Sequence, residues 1–281
     1  MARFVSMGLT GKHFEAEPPL SDIVKHFYAI QTTPDYETIG HLSPNYEMML
    51  IFNFGSPVRI SFAAEPLNNQ QIEHVALLGP LRKMLNYELL KNTDILAVVF
   101  NLDGFYRLFQ LPVDEMDSEK IHYPDEATYL ELWSILNRTP YNDRPQILRD
   151  YILSFTHTSD NASLPLLEGA GYFNDPSIEP VKAIAGDANL SERTIQSRFK
   201  KYVGYSPKEM LRFLRFKQVI TSIEQHPGNE IDWFDLIHDF GYHDQSHLIK
   251  DFNHFLGISP QTFIKKFFGK EFCTTKPGKN Y

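Results

Sequence analysis

Hydrophobic and polar positions change their spacing midway along this chain. Between residues 23 and 101 the apolar residues come in short runs: IVKHFYAI (23–30), EMMLIFNF (47–54), VRISF (58–62), HVALLG (74–79) and ILAVVFN (95–101). These runs are rich in branched and aromatic side chains and are separated by TTPD, LSPN, GSPV and LNNQ, so they predict strands joined by turns. DGFYRLFQLP (103–112) predicts a short amphipathic helix ended by Pro112. From residue 126 the apolar spacing becomes helical, in TYLELWSILN (128–137) and RPQILRDYILSF (144–155), with polar breaks at THTSDNAS (156–163) and NDPS (174–177). KEMLRFLRFKQVITSIEQ (208–225) predicts one long helix whose apolar residues wrap most of its circumference, as suits a helix held between two lobes. The expected fold class is α+β. A β-rich barrel or sandwich covers 1–125, a helical linker 126–174, an all-α unit 175–270 and a flexible tail 271–281.

Within the all-α region one phrase occurs twice. FKKYVGYSP (199–207) and FNHFLGISP (252–260) keep Phe, Gly, Ser and Pro in register at an offset of 252 − 199 = 53 residues. A period of this size marks one supersecondary unit used twice. Gly204 and Gly257 can close a helix in the left-handed conformation. Ser206 and Ser259 can cap the next one, with Pro207 and Pro260 at its first position. Glu209, three residues after Ser206, completes a capping box in the first copy.

The helix ahead of each phrase is amphipathic in the same way. In SERTIQSRFKKY, capped by Ser191, Ile195, Phe199 and Tyr202 share one face, while Arg193, Gln196, Ser197 and Lys200 share the other. In DQSHLIKDFNHF, starting at Asp244, Leu248, Phe252 and Phe255 point inward. Ser246, His247, Lys250 and Asn253 point outward, with Gln245 at the exposed first turn. Both outer faces mix amides, hydroxyls and cations, the side chains that read base edges and hold phosphates. A shorter apolar stretch precedes each helix, VKAIAGDANL and WFDLIHDFGY, with Ala185 and Ile237 in matching places. Helix, short turn, then a helix with a polar outer face is the helix-turn-helix plan, here in tandem. Any small helical bundle has polar outer faces, but two with the same terminating phrase argue against coincidence.

The stretches LSERTIQSRFKKYVGYSPKEMLRFLRFKQVI and FGYHDQSHLIKDFNHFLGISPQTFIKKF resemble the DNA-binding domain of the AraC/XylS family of bacterial transcription regulators over about residues 176–268, a third of the chain. The resemblance implies two helices placed in successive major grooves and joined by a long connecting helix. The implied base-facing positions are Arg193, Gln196 and Ser197 in the first helix, and Gln245, Ser246, His247 and Lys250 in the second. The residue after Gln196 is commonly arginine in that family. Ser197 here implies a weaker contact or a different preferred base, because Arg198 lies about 100° further round the helix. His238 is expected to pack on the first helix of its unit. The expected phosphate contacts are Lys200, Lys208, Arg212, Arg215 and Asn253, with a solvated face as the alternative for the Lys208–Arg212–Arg215 stripe. GHLSP, LLGPL and GFYRLF resemble an uncharacterised sensor or dimerisation module that precedes this unit in related chains, so no ligand is implied.

The net charge of −8 over 281 residues changes the picture only until it is localised. From Asn174 onward there are 15 Lys and Arg against 13 Asp and Glu, and within 191–217 eight against two. DNA affinity depends on where cations meet phosphates, so local charge outweighs the sum. The single cysteine, Cys273, excludes an internal disulfide framework and a multi-cysteine zinc site. The sequence has no run of ~18 apolar residues and no apolar signal core in MARFVSMGLTGKHFE, which reads as soluble and cytoplasmic.

The eleven histidines fall into no metal-binding spacing, and neither a Gly-rich phosphate loop nor a GxSxG elbow occurs. No catalytic site, cofactor or metal is expected, and the chain reads as a non-enzyme. His41, in GHLSP, is the best effector-contact candidate, though a structural histidine is the stronger reading. The expected function is a sequence-specific DNA-binding transcription regulator acting on double-stranded promoter or operator DNA. Candidate partners beyond DNA are a small-molecule effector at the N-terminal domain, RNA polymerase and a second copy of the chain. The alternative is a non-catalytic module whose helical bundle binds a protein.

Overall fold

The computed structural model describes all residues except 1, 2, 7, 68, 69, 226–231 and 268–281. The first part is built of ten strands: β1 (Arg3–Ser6), β2 (Leu9–Glu15), β3 (Val24–Thr32), β4 (Thr38–Leu42), β5 (Met49–Asn53), β6 (Val58–Phe62), β7 (Gln70–Ile72), β8 (Val75–Leu78), β9 (Leu85–Leu89) and β10 (Asp94–Phe100). They form two antiparallel sheets, one of six strands ordered β1-β2-β3-β10-β5-β8 and one of four ordered β4-β9-β6-β7. Neither sheet closes on itself, so of the two expected β architectures the sandwich is the one found.

All five residues of β5 are buried, because its two faces serve two cores. Successive side chains on a strand point to opposite faces. Met49 and Ile51 therefore meet Val58, Ile60, Phe62, Leu85 and Leu89 of the smaller sheet. Leu50 and Phe52 meet helices on the other side. Those helices are α1 (Gly104–Phe109), α2 (Glu126–Arg138) and α3 (Arg144–Phe155), which bring Phe105, Leu132, Leu136, Leu148 and Ile152 to the sheet. Arg144, 6% exposed, fastens α3 to β10 through paired 2.9 Å bonds to both carboxylate oxygens of Asp94. Helix α1 ends at Gln110, which takes a left-handed φ of 54°, two residues ahead of the Pro112 expected to stop it.

Five strands (β1, β2, β4, β7 and β9) were not among the runs picked out by hydrophobicity. In β4 the glycine of GHLSP sits inside a strand rather than a turn. A side chain at Gly40 would collide with the ring of Tyr87 across the ladder, so the tyrosine fills the space that glycine leaves.

The remainder is helical: α4 (Leu164–Glu168), a 3-10 turn at Ala170–Asn174, α5 (Pro180–Asp187), α6 (Glu192–Val203), α7 (Pro207–Gln225), α8 (Trp233–Asp239), α9 (Gln245–Leu256) and α10 (Pro260–Phe267). The segment 126–174 expected as a linker packs in two directions. Helices α2 and α3 join the core of the larger sheet, whereas Leu166 and Phe173 join the core of α5–α10. The tail 271–281, with Cys273, lies outside the described residues.

Candidate nucleic-acid interface

Helix α6 starts where Ser191 Oγ accepts a 3.1 Å bond from Thr194 N, and it ends at Gly204 with φ 87°. Ile195, Phe199 and Tyr202 are buried, and Arg193, Gln196, Ser197 and Lys200 are exposed, as the periodicity predicts. Helix α9 repeats the design. Asp244 accepts a 2.8 Å bond from His247 N, and that bond holds its carboxyl below the usual range. Leu248, Phe252 and Phe255 are each 0% exposed, and Gly257 closes the helix at φ 70°. Gln245, Ser246, Lys250 and Asn253 are exposed, while His247 is half-buried. Lys208, at the start of α7, is exposed too. Among the described residues the exposed side chains of both faces make no hydrogen bond or ion pair, so their donors and acceptors stay available to a partner.

The capping box at the first repeat is formed as the sequence predicts. Ser206 Oγ accepts from Glu209 N at 3.2 Å, and Glu209 Oε2 accepts from Ser206 N at 2.7 Å. In the second repeat Ser259 Oγ caps Thr262 N at 3.2 Å without a returning carboxylate.

Arg212 and Arg215 do not stand in a solvated stripe with Lys208. Both turn to Asp251, which is 0% exposed on the inner side of α9. Arg212 Nε donates to Asp251 Oδ1 at 2.7 Å, Tyr242 Oη donates to Oδ2 at 2.9 Å, and Arg215 Nη2 reaches Oδ2 at 3.4 Å. Burial first, and then the neighbouring Asp251, push the Tyr242 hydroxyl up. This cluster was missed in the sequence. Its signal was an acid directly before an inward phenylalanine, facing a long helix that carries two arginines.

Arg198 and His238 also have definite places. Arg198 is half-buried and its charge acts on Asp160, so it does not share the outer face with Ser197. His238 was expected to pack on the first helix of its unit, but its side chain is 91% exposed, beside Asp239. The inward positions of α8 are taken instead by Trp233, Leu236 and Ile237, which leaves residue 238 on the outside.

The sandwich grips the helical unit at both repeated turns. At Gly204 a side chain would strike Val113, and the Gly204 carbonyl accepts from Arg82. At Gly257 it would lie 2.7 Å from Ala63 Cβ. Met84 N donates to Phe255 O at 2.7 Å, and the Tyr46 ring sits 4.6 Å from both Tyr205 and Phe213. His41 belongs to this contact. Its Nδ1 is 2.7 Å from Asn86 Oδ1 and its ring packs edge-on to Phe267 at 4.9 Å, which is the structural alternative for this residue. Among the described residues no group of three or more His, Cys, Asp and Glu could hold a metal, and no helix is long and apolar enough to cross a membrane.

Comparison with known proteins finds two family matches and several similar solved structures. Residues 184–266 match a family model described as a helix-turn-helix domain, and residues 12–122 match a domain of unknown function, DUF6597. No curated protein matches the chain. Among solved structures, ToxT from Vibrio cholerae is 10% identical, with 92% of this chain and 98% of that one covered and a TM-score of 0.40. A ToxT structure from the same organism with an unsaturated fatty acid bound is 13% identical, with 84% and 97% covered and a TM-score of 0.39. The AraC-like transcriptional activator CuxR is 11% identical, with 75% and 79% covered and a TM-score of 0.30. Paired caps, paired left-handed glycines and two outward polar faces thus fall within a helix-turn-helix domain, which follows a region that matches DUF6597.

Proposed function

We propose that this chain is a DNA-binding transcription regulator that recognises specific sequences by laying α6 and α9 in two successive major-groove segments about one turn (~10 bp) apart. The observation that carries this reading is the matched pair of faces. Each helix buries four apolar residues and leaves a row of unpaired polar side chains in the open. Base edges are assigned to Arg193, Gln196 and Ser197 on α6, and to Gln245, Ser246, His247 and Lys250 on α9. Phosphates are assigned to Lys200, Lys208 and Asn253. Arg212 and Arg215 present only their outer edges to the backbone, since Asp251 holds them from within.

In this reading the sandwich passes the state of a small-molecule effector, or of a second copy of the chain, to α6 and α9 through the gripped turns. The compartment is the cytoplasm, and the downstream partner is RNA polymerase. A second reading, a protein-binding role for the helical unit, is favoured by Phe234, which stands 83% exposed on α8 beside Asp235.

Selection of a random-duplex library on the full chain tests the proposal. Two preferred blocks about ten base pairs apart are expected. Arg193→Ala and Gln245→Ala should each cost roughly 1–3 kcal/mol and relax one position. A folded chain that selects no sequence, with binding indifferent to both substitutions, would favour the protein-binding reading.

A further inference from the structure

Asp251 is a carboxylate with no access to water, and such a group is stable only where donors fill its lone pairs. Arg212, Arg215 and Tyr242 supply them. Arg215 does a second thing: its Nη2 lies 3.3 Å from Nε2 of His247. A guanidinium has no acceptor, so in this contact the arginine donates and His247 Nε2 accepts. A neutral imidazole that accepts at Nε2 carries its proton at Nδ1. The Tyr242 ring packs edge-on to the imidazole at 5.2 Å and lies 4.3 Å from the Arg215 guanidinium, so two side chains, both bonded to Asp251, hold His247 in one setting.

We infer that Asp251 is a positioning residue for the second reading helix, and that His247 meets the duplex as an Nδ1–H donor. The inference rests on the proposed DNA-reading role of α9. A donor in the major groove pairs with N7 of purines, O6 of guanine or O4 of thymine, and it is refused by the amino groups of cytosine and adenine. Guanine offers two adjacent acceptors and is the expected base. His247 is thereby given a definite chemical preference, which its residue type alone leaves open between donor and acceptor.

Two measurements on the full chain test this separately. Imidazole ¹⁵N spectra, with the His247 signals assigned by their loss in His247→Gln, should show the Nδ1–H form without DNA. Arg215→Met, which removes the donor, should move the ring to the Nε2–H form, and Arg215→Lys, which keeps one, should leave it in the Nδ1–H form. Asp251→Asn should behave as Arg215→Met if the carboxylate positions the arginine. Should that variant not fold, Arg215→Met decides. An Nε2–H ring in the unaltered chain, or one indifferent to Arg215→Met, overturns the donor assignment.

In selection from a random-duplex library, one position should favour guanine over cytosine by roughly tenfold. Arg215→Met should remove that preference alone and leave the remaining positions intact. Loss at every position, or at none, overturns the positioning role. If the unaltered chain selects no sequence, the DNA reading itself fails, and the spectra still decide the state of the ring.

Discussion

Helices α6 and α9 are both twelve residues long, both start at a side-chain cap and both close at a left-handed glycine, but different parts of the molecule hold them from below. Helix α6 is tied to the N-terminal part. Tyr202 Oη donates to Asp160 at 2.5 Å, its ring lies 4.7 Å from Tyr106, and Lys201 sits 5.0 Å over Tyr106. Helix α9 is tied to the connecting helix through Asp251, Arg212 and Arg215. Two copies of one motif thus report to different neighbours. The N-terminal part therefore meets α6 along its inner face at Tyr202, whereas it meets α9 at its C-terminal end, at Phe255 and Gly257.

The comparison breaks first in the cores. Phe252→Ala should destabilise by ~3–5 kcal/mol, because it empties a position with no exposure, and Phe199→Ala by a similar amount. Thermal melting of each variant checks this, and an unchanged curve for Phe252→Ala would contradict the inward face assigned to α9. Asp251→Ala should follow at about 2–3 kcal/mol, below the usual loss for a severed buried ion pair because both arginines still reach water. The corresponding position of α6 is Arg198, which has no such buried partner to lose. Gly204→Ala should cost ~1–2 kcal/mol from its left-handed backbone alone. Contact with Val113 should also loosen the grip of the sandwich on α6, seen as faster hydrogen exchange at that turn.

The smallest effect separates the caps. Asp244 has its carboxyl held below the usual range by the His247 amide, so its stabilisation of α9 is complete above about pH 4 and is lost as pH falls through the lowered value. Ser191 caps α6 without titrating. Asp244→Ser should therefore remove part of the acid limb of the stability curve, while Ser191→Ala should cost ~1 kcal/mol at every pH. An acid limb unchanged in Asp244→Ser would show that the cap contributes nothing there.

The helical unit was largely legible because its signals are local. Caps, left-handed glycines and a three-to-four spacing lie within a few residues of one another, and the burial of Ile195, Phe199, Leu248 and Phe252 follows from them. Half of the sandwich was not legible, because strands such as β4 and β9 are specified by partners far along the chain. Gly40 reads as a turn until Tyr87 is seen to cover it. The pairing of Arg212 and Arg215 with Asp251 was hidden for the same reason: cations on a helix face read as phosphate contacts or a solvated stripe until the carboxylate beneath them is placed. His41, whose stronger reading in sequence is structural, packs against Asn86 and Phe267, and those partners too lie far along the chain.

The central claim is that one chain carries two independent reading helices. Guanine-methylation interference on a duplex selected by the full chain tests it most directly, because N7 lies in the major groove. The account predicts two clusters of interference about one helical turn (~10 bp) apart on one face of the duplex, with Arg193→Ala weakening interference at one position of the first cluster and Gln245→Ala at one position of the second. A single cluster, or two that fade together in both variants, would contradict it.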